Sequence, residues 1–238
     1  MDLAHLMINA LIPPVCPLCQ RGLLEPGLCA DCFGGLVLLN DPCCQRCALP
    51  FDHDAGNRLC GNCLKSPPGF DEAVAGLRYT DTARQLILAF KHGDRLDIAP
   101  LLARVMLPRA MPLISKADLV LPVPLHRWRF FRRRFNQSAE LTRHLLAAGG
   151  FDAGLMATQV LLRHRNTPSQ GKRSRNQRIT NVRGAFRINP AFADRIRNRH
   201  VLLIDDVMTT GATLSSAART LKRHGAETVA VCVTARVC

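Results

Sequence analysis

The chain has 238 residues, 47% of them hydrophobic but only 5% aromatic, and a formal charge of +14. That length suits one domain of ordinary size plus a small appendage, with a core filled by Leu, Val, Ile and Ala rather than by rings. No stretch approaches the roughly 18–20 apolar residues needed to cross a bilayer, which excludes a membrane-spanning helix.

The charge is unevenly placed. Residues 119–204 hold 17 Lys or Arg against 3 acids, so the whole excess lies in that window. Such a field favours anionic partners, whether a pyrophosphate, a polynucleotide or a membrane surface, and does not choose among them.

The first sixteen residues make a poor export signal, because Asp2 stands where a basic region belongs and Pro13 and Pro14 break a short apolar run. They are expected to form a short amphipathic helix with Leu3, Leu6, Met7 and Ala10 on one face, in a cytoplasmic protein whose thiols stay reduced. Four CxxC pairs follow: Cys16 and Cys19, Cys29 and Cys32, Cys44 and Cys47, Cys60 and Cys63. Each turn points two thiolates at one tetrahedral centre, so the pattern predicts two zinc ribbons in tandem with structural zinc. Disulfides are the competing account, disfavoured in the cytosol. Spacing leaves open whether ligands pair within or across ribbons, and whether Cys43 replaces Cys44.

Ser66, Pro67, Pro68 and Gly69 mark a boundary, giving a double ribbon over 1–66 and a larger domain over 67–238. Residues 70–79 read as a strand; Asp81 or Thr82 then caps a helix through Lys91, stopped by Gly93. A second helix begins at Asp97, with Pro100 in its first turn and Ile98, Leu101, Leu102 and Val105 on one face. Both helices are expected to cover the domain; Lys91 and His92 could reach a ligand, but read first as solvated charges at a helix end.

Residues 119–123 form the next strand. Arg127, Arg129, Arg132, Arg133 and Arg134 follow, interleaved with Trp128, Phe130, Phe131 and Phe135. Guanidinium forks match pyrophosphate oxygens, and the same mixture suits single-stranded nucleic acid by backbone neutralisation and base stacking. Asn136 caps a helix to Ala148, ended by Gly149 and Gly150, with Leu141, Leu145 and Leu146 inward. A short strand at 160–162 leads into residues 163–183, which carry six Arg, one Lys and no acid and read as a mobile loop before strand resumes at 184–186.

The stretch 201–214, VLLIDDVMTTGATL, carries the chemistry. Residues 201–204 read as a buried strand, and Thr209, Thr210 and Gly211 open a helix that runs to His224. A Thr- and Gly-rich loop at a helix N-terminus offers amides, hydroxyls and the positive dipole end to a phosphate. Asp205 and Asp206, just upstream, are placed to accept hydrogen bonds from vicinal sugar hydroxyls or to hold a divalent cation. Residues 227–233 form a last apolar strand, so 201–233 is one βαβ unit that requires a parallel sheet.

This stretch resembles the thirteen-residue signature of type I phosphoribosyltransferases. The resemblance implies that Asp205 and Asp206 hold the ribose hydroxyls of phosphoribosyl pyrophosphate, while Met208, Thr209, Thr210, Gly211, Ala212 and Thr213 wrap its 5-phosphate. It also implies a pyrophosphate loop that includes Arg127 and Arg133, and a closing hood for which Arg165, Gln170, Lys172 and Arg173 are candidates. The chain as a whole is similar to the ComF competence family, on its cysteine knuckles, FKHGDR, PVPLHRWRFFRRRFNQ, QRITNVRGAF and VLLIDDVMTTGATL. That family joins a double zinc ribbon to a phosphoribosyltransferase-like α/β domain; it usually shows Gly where this chain has Arg134.

Family likeness implies a link to natural transformation or DNA uptake. Three functions stay open: a phosphoribosyltransferase using Mg²⁺ and an unknown nitrogen acceptor, a sensor that binds phosphoribosyl pyrophosphate without turnover, and a single-stranded DNA-binding module. Competence-machinery proteins are the expected protein partners.

Overall fold

The computed structural model describes residues 13–53, 56, 58–92, 95–125, 135–164 and 184–238. The predicted N-terminal helix, the helix stop at Gly93, the arginines and rings at 127–134 and the candidates at 165–173 lie outside the described residues.

Four strands build one parallel sheet: β1 (Glu72–Arg78), β2 (Leu119–Pro122), β5 (His200–Met208) and β6 (Thr228–Arg236), in the order β1-β6-β5-β2. The pleat decides which side chain goes where. Val201 and Leu203 join one core with Val229, Val231 and Val233; Leu202 and Ile204 join the other with Cys232. The strands are apolar on both faces because helices cover both.

Among the described residues, six α-helices accompany the sheet: α1 (Ala30–Gly34), α2 (Gly61–Lys65), α3 (Asp81–His92), α4 (Ala99–Ile114), α5 (Gln137–Ala148) and α6 (Ala212–Arg223). The α6 helix buries Leu214, Ala217, Ala218 and Leu221 against one face. On the other face α4 and α5 bury Leu102, Met106, Leu141 and Leu145. The α4 helix is thus a core layer, where the sequence suggested a cover. It runs through Pro108 and Pro112 because Met106, Ala110, Leu113 and Ile114 gain burial on the sheet that offsets the lost backbone bonds.

Capping follows the sequence at α5, where Asn136 accepts from the Ser138 N–H at 3.1 Å. At α3 the cap sits one residue earlier than expected, since the Thr80 hydroxyl accepts from Ala83 N–H at 3.5 Å. A separate antiparallel pair, β3 (Leu161–Arg163) with β4 (Phe186–Ile188), flanks the sheet.

The cysteine-rich segment covers the outer edge of β1. Leu39 N–H donates to the Gly76 carbonyl at 2.9 Å, Arg78 N–H to Val37 at 2.8 Å and Ala73 N–H to Gln45 at 3.0 Å. A parallel sheet would otherwise present an unpaired edge there. Arg109 of α4 adds a two-pronged pairing to Asp41 at 2.8 and 2.9 Å, which holds that carboxyl below its usual range.

Candidate functional site

The acidic end of the site comes first. The β5 strand does not stop at Ile204: its ladder with β6 continues through Asp205↔Val233 to Met208↔Arg236, so both carboxylates ride on a strand at the sheet's C-terminal edge. Asp205 Oδ1 accepts from Ser138 Oγ at 3.0 Å and from the Asp206 N–H at 2.9 Å. Asp206 Oδ2 lies 3.0 Å from Lys91 Nζ, and those two side chains are only 13% and 19% exposed.

Lys91 therefore is not a solvated helix end but a counter-ion inside the site. Its own carbonyl accepts from Gln137 Nε2 at 3.4 Å, which ties α3 to α5. Sequence reasoning allowed Lys91 to reach a ligand but not its pairing with Asp206, and missed Ser138; the available signals were the position after buried Phe90 and the placement within the first turn of a capped helix. Burial first, and then the charge of Asp206, push the Asp205 carboxyl up to about 7, while the Asp206 amide, Lys91 and Ser138 pull it the other way.

The loop end has a different character. Gly211 occupies the cap position of α6 at φ 72°, ψ 7°, a left-handed conformation that strains any residue with a Cβ. Thr210 Oγ1 is buried without a hydrogen-bond partner. Behind the loop, Arg236 Nη1 donates to the Thr209 carbonyl at 2.7 Å and to Met208 at 3.3 Å. A buried hydroxyl without a partner beside a helix N-terminus is a seat with donors to spare, which fits a phosphate. The paired carboxylates four residues upstream fit sugar hydroxyls or an oxygen-seeking divalent cation.

The eight cysteines fall into two sets, Cys16, Cys19, Cys29, Cys32 and Cys44, Cys47, Cys60, Cys63, each with its ligand atoms within 4.8 Å of one another. Pairing is within each ribbon. Cys19 Sγ lies 3.5 Å from Cys29 Sγ and Cys47 Sγ 3.7 Å from Cys60 Sγ. A tetrahedral zinc with Zn–S of about 2.3 Å requires S···S of about 3.8 Å, whereas a disulfide requires about 2.05 Å. Four thiolates close each site, so these are structural centres. Cys43 is outside both sets; its thiol donates to the Asn40 carbonyl at 3.1 Å.

Two family models match the chain: "Double zinc ribbon domain" over residues 7–64 and "Phosphoribosyl transferase domain" over residues 160–237. The chain is 33% identical over 227 residues to the DNA utilization protein YhgH of Salmonella typhi, covering 92% of this chain and 96% of that one. It is 29% identical over 219 residues to Competence protein F of Haemophilus influenzae, covering 85% and 94%. This chain belongs to the ComF competence family.

As a ComF-family protein it carries two zinc-binding sites of four cysteines each and a phosphoribosyltransferase-like domain. Adenine phosphoribosyltransferase of Mycobacterium avium is 48% identical over 44 residues, 18% of this chain and 24% of that one. The structure brings Asp205, Asp206, Met208, Thr209, Thr210, Gly211, Ala212 and Thr213 together where β5 passes into α6. Arg127, Arg133 and Lys172 lie outside the described residues. No helix among the described residues is long and apolar enough to cross a membrane.

Proposed function

We propose that this ComF-family protein binds phosphoribosyl pyrophosphate with Mg²⁺ and transfers the phosphoribosyl group to a nitrogen acceptor. The observation that carries this reading is the buried, unpartnered Thr210 hydroxyl four residues beyond Asp206, on a loop that ends at left-handed Gly211. In this reading the loop from Met208 to Thr213 holds the 5-phosphate through amides, hydroxyls and the α6 dipole. Asp205 and Asp206 accept from the ribose hydroxyls, and Lys91 must swing aside or share Asp206 as they do so. Asp205 and Asp206 would offer carboxylate oxygens to Mg²⁺, which would supply positive charge against the departing pyrophosphate.

Transfer breaks the bond from C1 to the pyrophosphate oxygen, which leaves with the electron pair, and forms a bond from C1 to the acceptor nitrogen, which loses a proton. An oxocarbenium-like carbon is stabilised by position and charge, not by a covalent link to the protein. Arg127, Arg133 and Lys172 are proposed to meet the pyrophosphate. The test is calorimetric titration of the zinc-loaded protein with Mg²⁺ and phosphoribosyl pyrophosphate, followed by a nucleobase screen for pyrophosphate release. Binding with release supports transfer, binding without release leaves a sensor, and no binding overturns both.

A second reading has its own support in the basic excess of residues 119–204 and in relatives named for DNA utilization and competence. In it the protein works in DNA uptake in the cytoplasm, with competence-machinery partners, and its arginine segments hold single-stranded DNA. A steep fall of DNA affinity with salt supports this reading; affinity that is flat in salt removes it.

A further inference from the structure

Arg236, near the chain's C-terminus, links two parts of the molecule that sequence reading treats as separate. Its Nε donates to the carbonyl of Cys47, a ligand residue of the second ribbon, at 2.8 Å. Its Nη1 donates to the carbonyls of Thr209 at 2.7 Å and Met208 at 3.3 Å, and also to that of Val237. One planar fork thus touches a zinc knuckle on one side and the loop before α6 on the other.

The peptide plane turns these contacts into a consequence for the loop. In a trans peptide the carbonyl and the following N–H point in opposite directions. With the Met208 and Thr209 carbonyls drawn back to Arg236, the N–H groups of Thr209 and Thr210 face away from it. A second contact supports the same coupling: the segment leaving the second ribbon presses on α6, with Gly69 N–H donating to Ser215 Oγ at 2.6 Å. A Cβ at Gly69 would lie 2.5 Å from the Ser215 carbonyl oxygen, so the approach leaves no room for a side chain. A cleft of about 380 Å³ lies between the two parts, walled by Cys47, Cys60 and Cys63 on one side and Thr209, Thr210 and Gly211 on the other.

We infer that Arg236 is a positioning residue that couples the second zinc site to the anion-binding loop, so that zinc in this ribbon sets the loop's affinity for phosphate. The first ribbon lacks such a hydrogen-bonded link among the described residues: the chain beyond it packs through Leu36 on Leu77, Ala83, Ile87 and Ala235 by apolar contact alone. Coupling is reciprocal, so ligand on the loop must in turn retain zinc in the second site and not in the first. The inference rests on the reading that residues 208–213 hold the 5-phosphate.

The test uses the full zinc-loaded chain and four variants: Arg236→Lys, which keeps charge without the fork, Cys60→Ser, Cys19→Ser, and Arg236→Lys with Cys60→Ser. Affinity for phosphoribosyl pyrophosphate with Mg²⁺ should fall about tenfold in Arg236→Lys and in Cys60→Ser. It should stay unchanged in Cys19→Ser, and the double variant should lose no more than either single one. Equal affinity in Arg236→Lys and the parent, or losses that add in full, overturns the inference. A ligand-free arm separates it from the binding reading: zinc release to a chromophoric chelator should speed up severalfold from the second site alone in Arg236→Lys. Unchanged release overturns the coupling even where the ligand binds, and faster release with no ligand binding in the parent protein overturns only the phosphate reading.

Discussion

At the acidic end of the site Asp205 is held by Ser138 and Asp206 by Lys91, whereas at the loop end Thr210 keeps a buried hydroxyl with no partner. The two ends lie five residues apart on one connection, yet they are prepared for a ligand in different ways. The acidic end is already satisfied, so a sugar or cation must exchange with groups of the protein. The loop end has donors to spare and gains hydrogen bonds when an anion arrives. Affinity for an anion should therefore come from the loop, and affinity and discrimination for a ribose from the acids.

Breaking the acidic end should cost the most. Lys91→Met leaves the buried Asp206 without its counter-ion and should destabilise the fold by about 3 kcal/mol at pH 8, read from urea unfolding. Adding Asp206→Asn should recover most of that loss, because the cost is the stranded charge.

Asp205→Asn should act in the opposite direction. The folded carboxyl titrates near 7 against an ordinary 3.8, so the native state holds the extra proton between those values. Stability of the parent protein must fall as pH rises from about 4 to about 7 and level off above. The Asn variant keeps an acceptor for Ser138, loses that slope and should be more stable at pH 8 by about 2 kcal/mol. A slope that survives the substitution would show that another group causes it.

The loop end should give smaller effects on folding and act on anion binding. Gly211→Ala meets no clash, with Met208 Sδ at 3.5 Å and Phe70 at 3.6 Å from the added carbon, so its cost is the left-handed backbone, about 1 kcal/mol. Thr210→Val removes an unpartnered hydroxyl and should change unfolding stability by no more than about 0.5 kcal/mol. Its affinity for inorganic phosphate should nevertheless drop, and a drop in stability without one in affinity would reverse the contrast between the two ends.

Much of this arrangement is legible in the sequence because local patterns carry it. Apolar runs at 201–204 and 227–233 around an amphipathic helix specify a parallel βαβ unit, and four CxxC turns specify two metal centres. The contacts that finish the site are not legible, because they join residues far apart in the chain. Lys91 reaches Asp206 only once α3 is packed on the sheet face beside α5, and Arg236 reaches Thr209 only because β6 lies beside β5 through its last residue. The strand through Asp205 and Asp206 was hidden for a related reason: two carboxylates interrupt the apolar pattern, and their place in the ladder comes from pairing with Val233 and its neighbours.

The most direct test of the sugar-phosphate reading is a calorimetric titration with Mg²⁺ and phosphoribosyl pyrophosphate, run on the parent protein and on Asp205→Asn with Asp206→Asn. Saturable binding by the parent protein should weaken by at least about 100-fold, or about 3 kcal/mol, in the double variant, while inorganic phosphate still binds the loop. No binding by the parent protein, or equal binding by both, would contradict that reading.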